Sequence, residues 1–510
     1  MSENITKLYQ KLLEWNKELA LLSSTGSILH WDMETKMPPA GIELKSQQLA
    51  LLQKISHQVL TDTKIGELLD DIEGHRDYEE LSKLEKRNIH LSRKAYTEAT
   101  ALPEELVVEI ARQQTLGIAA WKKAKTKQDY DMFKPELKKN IDLQKKAAAI
   151  LMDVKDTKTP YDALIDEYEP NMTSDTITDV FDEMKKGLQK IIDSILSETP
   201  PKTEFLRRQV PASTQEKIAG KIARFIDYDT WSEEAAGRID TTEHPFTTGY
   251  YTDVRITTNF HEDYWPSSVY SILHEGGHAL YELGLPEEWI YQPVGSSSSY
   301  GIHEAMSRFV ENHVGRSREF WNYFLPELKK LTGNTLTDIT LEQVVAGVNH
   351  VTPSKIRIEA DEVTYGLHIV IRFEIERDIF AGKITVDELP EIWNNKYEQY
   401  LGVEIENDSE GVMQDTHWAG GSFGYFPSYA LGNLYDGQLR KLIEKDVPDW
   451  KDQISYGNFR PVKTWLTEHV YKHGNLYDPE DLIKLETGNT LRVQPFIDYL
   501  DEKFRDIYGY

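Results

Sequence analysis

Two histidines four residues apart, His274 and His278, bracket Glu275 in the stretch Ser271-Ile-Leu-His-Glu-Gly-Gly-His-Ala-Leu-Tyr281. The stretch reads as one helix. Residues at that spacing share a helix face, so both imidazoles can meet a single metal ion. Glu275 is turned about 100° from His274, which lets its carboxylate reach a water beside the ion rather than the ion itself. Two neutral nitrogen ligands with an adjacent general base are what a zinc hydrolase needs. Gly276 and Gly277 fall inside the same helix, where each costs about 1 kcal/mol relative to alanine. That cost points to something pressed against the backbone, a ligand or a neighbouring helix.

A catalytic site of this kind takes a third protein ligand from another element. After His278 the chain passes Pro286 and the run Gly295-Ser-Ser-Ser-Ser-Tyr-Gly301, then enters a polar helix from Ile302 to about Gly315. Glu304 stands at its start, far enough along for an antiparallel return. His303 and Glu311 are rivals for the same place, and position alone leaves the three open.

The surrounding elements are predicted to be helices almost throughout. Leu8, Leu12, Trp15, Leu19 and Leu22 recur at spacings of three and four, giving an amphipathic helix over 4–25. His30-Trp31-Asp32 and Met37-Pro38-Pro39 follow as a turn, and 42–150 is almost unbroken helix. Further helices are expected over 173–198, 214–228, 353–380 and 386–400. The loop over 199–213 is a candidate subdomain seam, too short for a flexible linker. Residues 244–260 carry the one convincing strand signal, with Tyr251-Thr-Asp-Val-Arg-Ile-Thr-Thr258 alternating just upstream of the metal helix. The expectation is a mainly α, single catalytic domain over 1–510, with one small β-sheet beside the metal helix.

Composition narrows the function classes. Of 510 residues, 39% are hydrophobic, including 27 tyrosines, 16 phenylalanines and 11 tryptophans, ample for a large core. A formal charge of −27 disfavours nucleic acid and anionic membrane surfaces as partners. With no cysteine there is no thiol nucleophile, no thiolate metal site and no disulfide. Met1-Ser-Glu-Asn-Ile-Thr-Lys7 lacks the basic and apolar regions of a leader, and no apolar run is long enough to span a membrane. A soluble cytoplasmic protein is the expectation.

Several further motifs occur in order along the chain: His244-Pro-Phe246, Asp253-Val-Arg-Ile-Thr257, Ile356-Arg-Ile-Glu-Ala-Asp361 and Gly411-Val-Met-Gln-Asp-Thr-His-Trp418. Together with His274-Glu-Gly-Gly-His278 they resemble the thermostable carboxypeptidase (carboxypeptidase Taq) family of zinc metallopeptidases. That resemblance implies a helix-rich fold with a deep central groove, homodimers, Zn2+ with Co2+ as a substitute, and release of single residues from peptide C-termini. It also implies Glu304, not His303, as third ligand. One motif departs from the family. His-Glu-Ser-Gln or His-Glu-Gly-Gln is usual where this chain reads His303-Glu-Ala-Met306, so an amide that can donate hydrogen bonds becomes a thioether that cannot. Rate and side-chain preference are the properties at stake, and a catalytically weakened or engineered metal-bound variant is one alternative.

In the mechanism that follows, Glu275 is the general base. Tyr425 and His417, with His244 behind them, are candidate donors to the oxyanion. Arg357 and Arg255 are candidate clamps for a terminal carboxylate, whose geometry matches a guanidinium fork. Arg357 has the edge because it is expected on a rigid helix. The bland readings pair Arg357 with Asp361 and Arg255 with Asp253. Gln414 and Asp415 are read as orienting other side chains. The alternative enzyme is a helical zinc endopeptidase or oligopeptidase.

Overall fold

The computed structural model describes residues 4–510. Met1, Ser2 and Glu3, part of the segment read for a leader, lie outside the described residues. Helix α1 (Ile5–Thr35) is longer than its periodicity suggested and carries His30-Trp31-Asp32 in its last turns. Nothing in that stretch breaks a helix. The break comes at Pro38, because the residue before a proline is disfavoured in the α conformation. Helices α2 (Ile42–Leu60), α3 (Thr63–Glu73), α4 (Lys83–Ala101), α5 (Glu104–Lys127) and α6 (Lys134–Lys155) divide the region expected as nearly continuous helix. Side chains mark the divisions: Asp62 caps α3, and Ser82 with Glu85 forms a capping box on α4.

After α7 (Pro160–Ile165), α8 (Ser174–Leu196) and α9 (Ala212–Phe225) come the strands β1 (Gly237–Thr241), β2 (Thr247–Tyr250) and β3 (Asp253–Thr258). Their order is β1-β3-β2, with β1 parallel and β2 antiparallel to β3. Strand β1 gave no signal in sequence; it is five residues long and three of its side chains are polar or charged. The 199–213 segment buries Phe205, Leu206 and Val210 in the main core. A separate small cluster around Leu12, Trp15, Leu69 and Ile89 joins α1, α3 and α4.

The remaining helices are α10 (Pro266–Gly284), α11 (Tyr300–Arg308), α12 (Arg318–Thr332), α13 (Leu341–Val348), α14 (Tyr365–Phe380), α15 (Leu389–Leu401) and α16 (Phe426–Asp446), then α17 (Trp450–Ser455), α18 (Arg460–His469), α19 (Pro479–Thr487) and α20 (Gln494–Tyr508). A π-helical segment, Phe309–Gly315, continues α11. The fold is thus mainly α with one three-stranded sheet packed against α10 among the described residues.

One expected helix is shorter than its pattern. Residues 353–364 are irregular, apart from a single 3-10 turn at Arg357–Glu359, and α14 begins only at Tyr365. Asp361 supplies the reason. Its carboxylate accepts from the backbone N–H groups of Thr352, Val363 and Thr364 and from the Thr364 hydroxyl, a local alternative to helix hydrogen bonding. Arg357 is therefore carried by a braced loop, not by a helix.

Candidate metal centre and catalytic site

The paired glycines of α10 are explained by packing. A Cβ on Gly277 would lie 2.6 Å from Ser307 Cα and 2.7 Å from Met306 O, so α10 and α11 meet backbone to backbone. A Cβ on Gly276 would collide with Ile226. On the other side of α11, Gly432 of α16 leaves room for Glu304, whose Cγ would stand 2.8 Å from an added Cβ. Gly277 and Gly432 thus let α10, α11 and α16 close on one another and carry Glu304 up to the histidines of α10, while Gly276 makes room for Ile226.

The result is convergence. Ligand atoms of His274, His278 and Glu304 all lie within 4.8 Å of one another. Glu304 Oε2 is 3.9 Å from His274 Nε2 and 3.7 Å from His278 Nε2. A tetrahedral ion with bonds of about 2.1 Å separates its ligand atoms by roughly 3.4 Å, so the three residues fit a small divalent metal with little adjustment.

What stands behind the ligands fixes their tautomers. His274 Nδ1 is 3.0 Å from Glu311 Oε2. A carboxylate only accepts, so the proton sits on Nδ1 and the Nε2 lone pair faces the cluster. His278 Nδ1 meets His303 Nδ1 at 2.5 Å, and His303 Nε2 is 2.9 Å from Glu282 Oε1. Glu282 accepts a hydrogen bond from His303 Nε2–H, leaving His303 Nδ1 to accept from His278. The two other candidates for third ligand lie beside this cluster, His303 against His278 and Glu311 against His274. Burial would raise the Glu311 carboxyl, but Arg308, His274 and Arg316 hold it well below the usual carboxylate range. Arg308 Nε also donates to Glu304 Oε1 at 2.7 Å, aiming Oε2 inward.

Glu275 is buried beside this group, and Thr247 of β2 donates to its Oε2 at 2.6 Å. Burial lifts its pKa above the ordinary glutamate value, against the opposing pull of His274 and Thr247. The sheet thus bears directly on the candidate site, because β2 holds the Glu275 carboxylate against α10.

A second cluster stands beside the first, joined to it by Tyr365. The Arg308 guanidinium stacks 4.3 Å from the centre of that ring, and Arg357 Nη1 approaches its hydroxyl at 3.4 Å. Arg357 does not pair with Asp361. It binds Asp415 Oδ1 through Nε at 3.0 Å and Nη2 at 2.8 Å. Tyr425 stacks on His417, and His417 Nε2 is 3.4 Å from the Tyr429 hydroxyl. Burial lowers the His417 pKa to about 4, keeping the ring neutral, and raises that of Tyr425, keeping its hydroxyl a donor.

The other candidates lie elsewhere. His244 is exposed in the connection between β1 and β2 and shares none of the contacts that tie His417 to Tyr425. Arg255 forms the expected pair with Asp253, two bonds of 2.7 Å, and stacks 4.3 Å over Trp31 of α1. Ala305 and Met306 have no accessible surface and belong to the main core. Residues that sequence reasoning missed include Thr247, Arg308, Tyr365 and Tyr429. Only Arg308 left a local trace, four residues after Glu304 on one helix.

Comparison with known proteins agrees with this picture. A family model described as "Carboxypeptidase Taq (M32) metallopeptidase" matches residues 11–504. The chain is 39% identical to "Thermostable carboxypeptidase 1" of Thermus thermophilus, covering 98% of this chain and 99% of that one. It is 36% identical to "Carboxypeptidase 1" of Bacillus subtilis, covering 96% and 97%. Among solved structures, the M32 carboxypeptidase from Deinococcus radiodurans superposes with a TM-score of 0.95 at 34% identity, over 99% of this chain and all of that one.

Proposed function

The chain belongs to the carboxypeptidase Taq (M32) metallopeptidase family, a family of metal-dependent peptide hydrolases, and from that premise we propose that it releases single residues from peptide C-termini with Glu275 as general base. The observation that carries the reading is the convergence of His274 Nε2, His278 Nε2 and Glu304 Oε2 beside a buried carboxylate. Two imidazoles and one carboxylate are a zinc donor set, with Co2+ as substitute. When bound, the ion supplies Lewis acidity and brings the pKa of a water towards neutrality.

The chain's own residues do the rest. Glu275 Oε2, fixed by Thr247, takes a proton from the attacking water and returns it to the departing amine. Its raised pKa suits both halves of that exchange. Tyr425 and Tyr429, kept protonated by burial, and neutral His417 supply donors for the oxyanion. Arg357 takes the terminal carboxylate. Arg255 is the weaker candidate, because Asp253 pairs with it one to one, whereas the Asp415 carboxylate on Arg357 is shared with Arg372.

Peptides are the substrate class, and a cytoplasmic homodimer is the setting we propose. No helix among the described residues is long and apolar enough to cross a membrane. The functional reading is tested by digesting one peptide in free-acid and C-terminally amidated forms. Stepwise loss of C-terminal residues from the free acid, with the amide largely spared, supports it. Equal cleavage of both, or internal cleavage, replaces it with an endopeptidase or oligopeptidase.

A further inference from the structure

Arg372 of α14 is fully buried and forms no part of the machinery described above. Its Nε donates to Asp415 Oδ2 at 2.7 Å, while Arg357 occupies Oδ1. Its Nη2 donates to Gln414 Oε1 at 2.8 Å, and Nη1 to the His368 carbonyl at 2.7 Å. The same Gln414 oxygen accepts the Arg357 backbone N–H at 2.9 Å. Two guanidiniums thus share one carboxylate, and one neutral amide oxygen bridges the Arg372 guanidinium and the Arg357 backbone. The group carries one positive charge more than it needs.

The other groups around Arg357 do not cancel that excess. Its guanidinium faces the rings of Tyr429 and Phe426 and the Tyr365 hydroxyl, all uncharged. Glu376 of α14, close enough to feel the Arg372 charge, is engaged by Trp418, Tyr161 and the Gly424 N–H, and burial lifts its pKa to about 7, so near neutral pH it offsets the excess only in part. Lys125, whose ammonium donates to the Gln414 carbonyl at 2.9 Å, adds to the positive side. Arg255, by contrast, stands one to one with Asp253 and is neutral as a pair.

A buried, uncompensated charge is costly, and a ligand of opposite sign relieves the cost. We infer that Arg372 is a positioning residue for substrate specificity: by sharing Asp415 it leaves Arg357 a net positive charge with which to receive a C-terminal carboxylate. Without Arg372, Asp415 neutralises Arg357, and an incoming carboxylate competes with it. The inference rests on the role of Arg357 proposed above.

The test is steady-state kinetics of the metal-loaded enzyme on an N-blocked peptide with a free C-terminus. Arg372→Gln is expected to raise KM about tenfold or more, with kcat changed much less, the signature of lost binding common to ground and transition states. Adding Asp415→Asn restores the charge balance and is expected to bring KM back towards wild type. A purely structural role predicts the opposite, since the double variant removes still more of the network. Unchanged KM in Arg372→Gln, or no recovery in the double variant, overturns the inference. Should Arg372→Gln not fold, the isosteric Gln414→Glu cancels the same charge with Arg372 in place; it is expected to raise KM likewise, and an unchanged KM there is equally fatal. Arg357→Gln serves as the reference. If it leaves KM unaltered, the reading of Arg357 fails; if it raises KM while Arg372→Gln does not, only the part given to Arg372 fails.

Discussion

His303 Nδ1 lies 2.5 Å from His278 Nδ1, with Glu282 at 2.9 Å on the far side of the His303 ring. A residue adjacent in sequence to Glu304 therefore stands behind His278 on the other helix. Removing such an outer partner typically costs 10- to 100-fold in metal affinity. His303→Ala is expected to weaken metal binding by about that factor, measured by competition with a chromophoric chelator. Affinity equal to wild type would mean that His278 holds its tautomer without His303.

The contact between α10 and α11 makes a second expectation. Ser307 Cα and Met306 O, which crowd Gly277, are backbone atoms that cannot swing aside. Gly277→Ala is therefore expected to cost about 1–3 kcal/mol as overpacking and to move Glu304 away from the histidines. Thermal unfolding and metal affinity should fall together. A variant with unaltered midpoint and affinity would show that the helices separate more easily than their packing implies.

Met306 concerns the same helix. With no accessible surface, its departure from the family pattern bears on the core, not on a surface that touches substrate. Met306→Gln is expected to change stability, by about 1–3 kcal/mol if the amide finds no partner, and to leave KM within about twofold. A large KM shift at unchanged stability would place the side chain at the substrate after all.

Glu376 gives a pH dependence. Burial raises its pKa from 4.5 to about 7 in the folded protein, so the folded state holds this proton more tightly than the unfolded chain does. Its contribution favours folding below pH 4.5, declines as pH rises towards about 7, and is level beyond. The decline is on the order of 3 kcal/mol. In Glu376→Gln that linkage is gone, so the difference in unfolding free energy between pH 5 and pH 8 should shrink by a similar amount. An identical pH profile in the variant would show that Glu376 is ionised in the fold throughout.

Legibility in the sequence followed distance along the chain. His274, Glu275 and His278 could be read because one helix turn sets their relation, and the motif around Glu304 could be read through family resemblance. The helical class was plain from periodicity. What was missed depends on long-range contact. Thr247 reaches Glu275 only because the sheet packs on α10. Arg372 looks like either of two arginines in α14 until Asp415 folds back against it. Arg357 was expected on a helix because its flanking pattern is helical, but the Asp361 carboxylate captures the backbone N–H groups that a helix would have used. Local propensity lost there to a side chain, as it often does beside functional loops.

The proposed catalysis stands or falls on Glu275 activating water beside a metal held by His274, His278 and Glu304. The variant that addresses it most directly is Glu275→Gln, with metal content and peptide hydrolysis measured on the same preparation. One metal ion per chain should be retained while turnover falls by about 10²- to 10⁴-fold, the range for loss of a general base. Turnover within a few-fold of wild type, with metal still bound, would contradict that role.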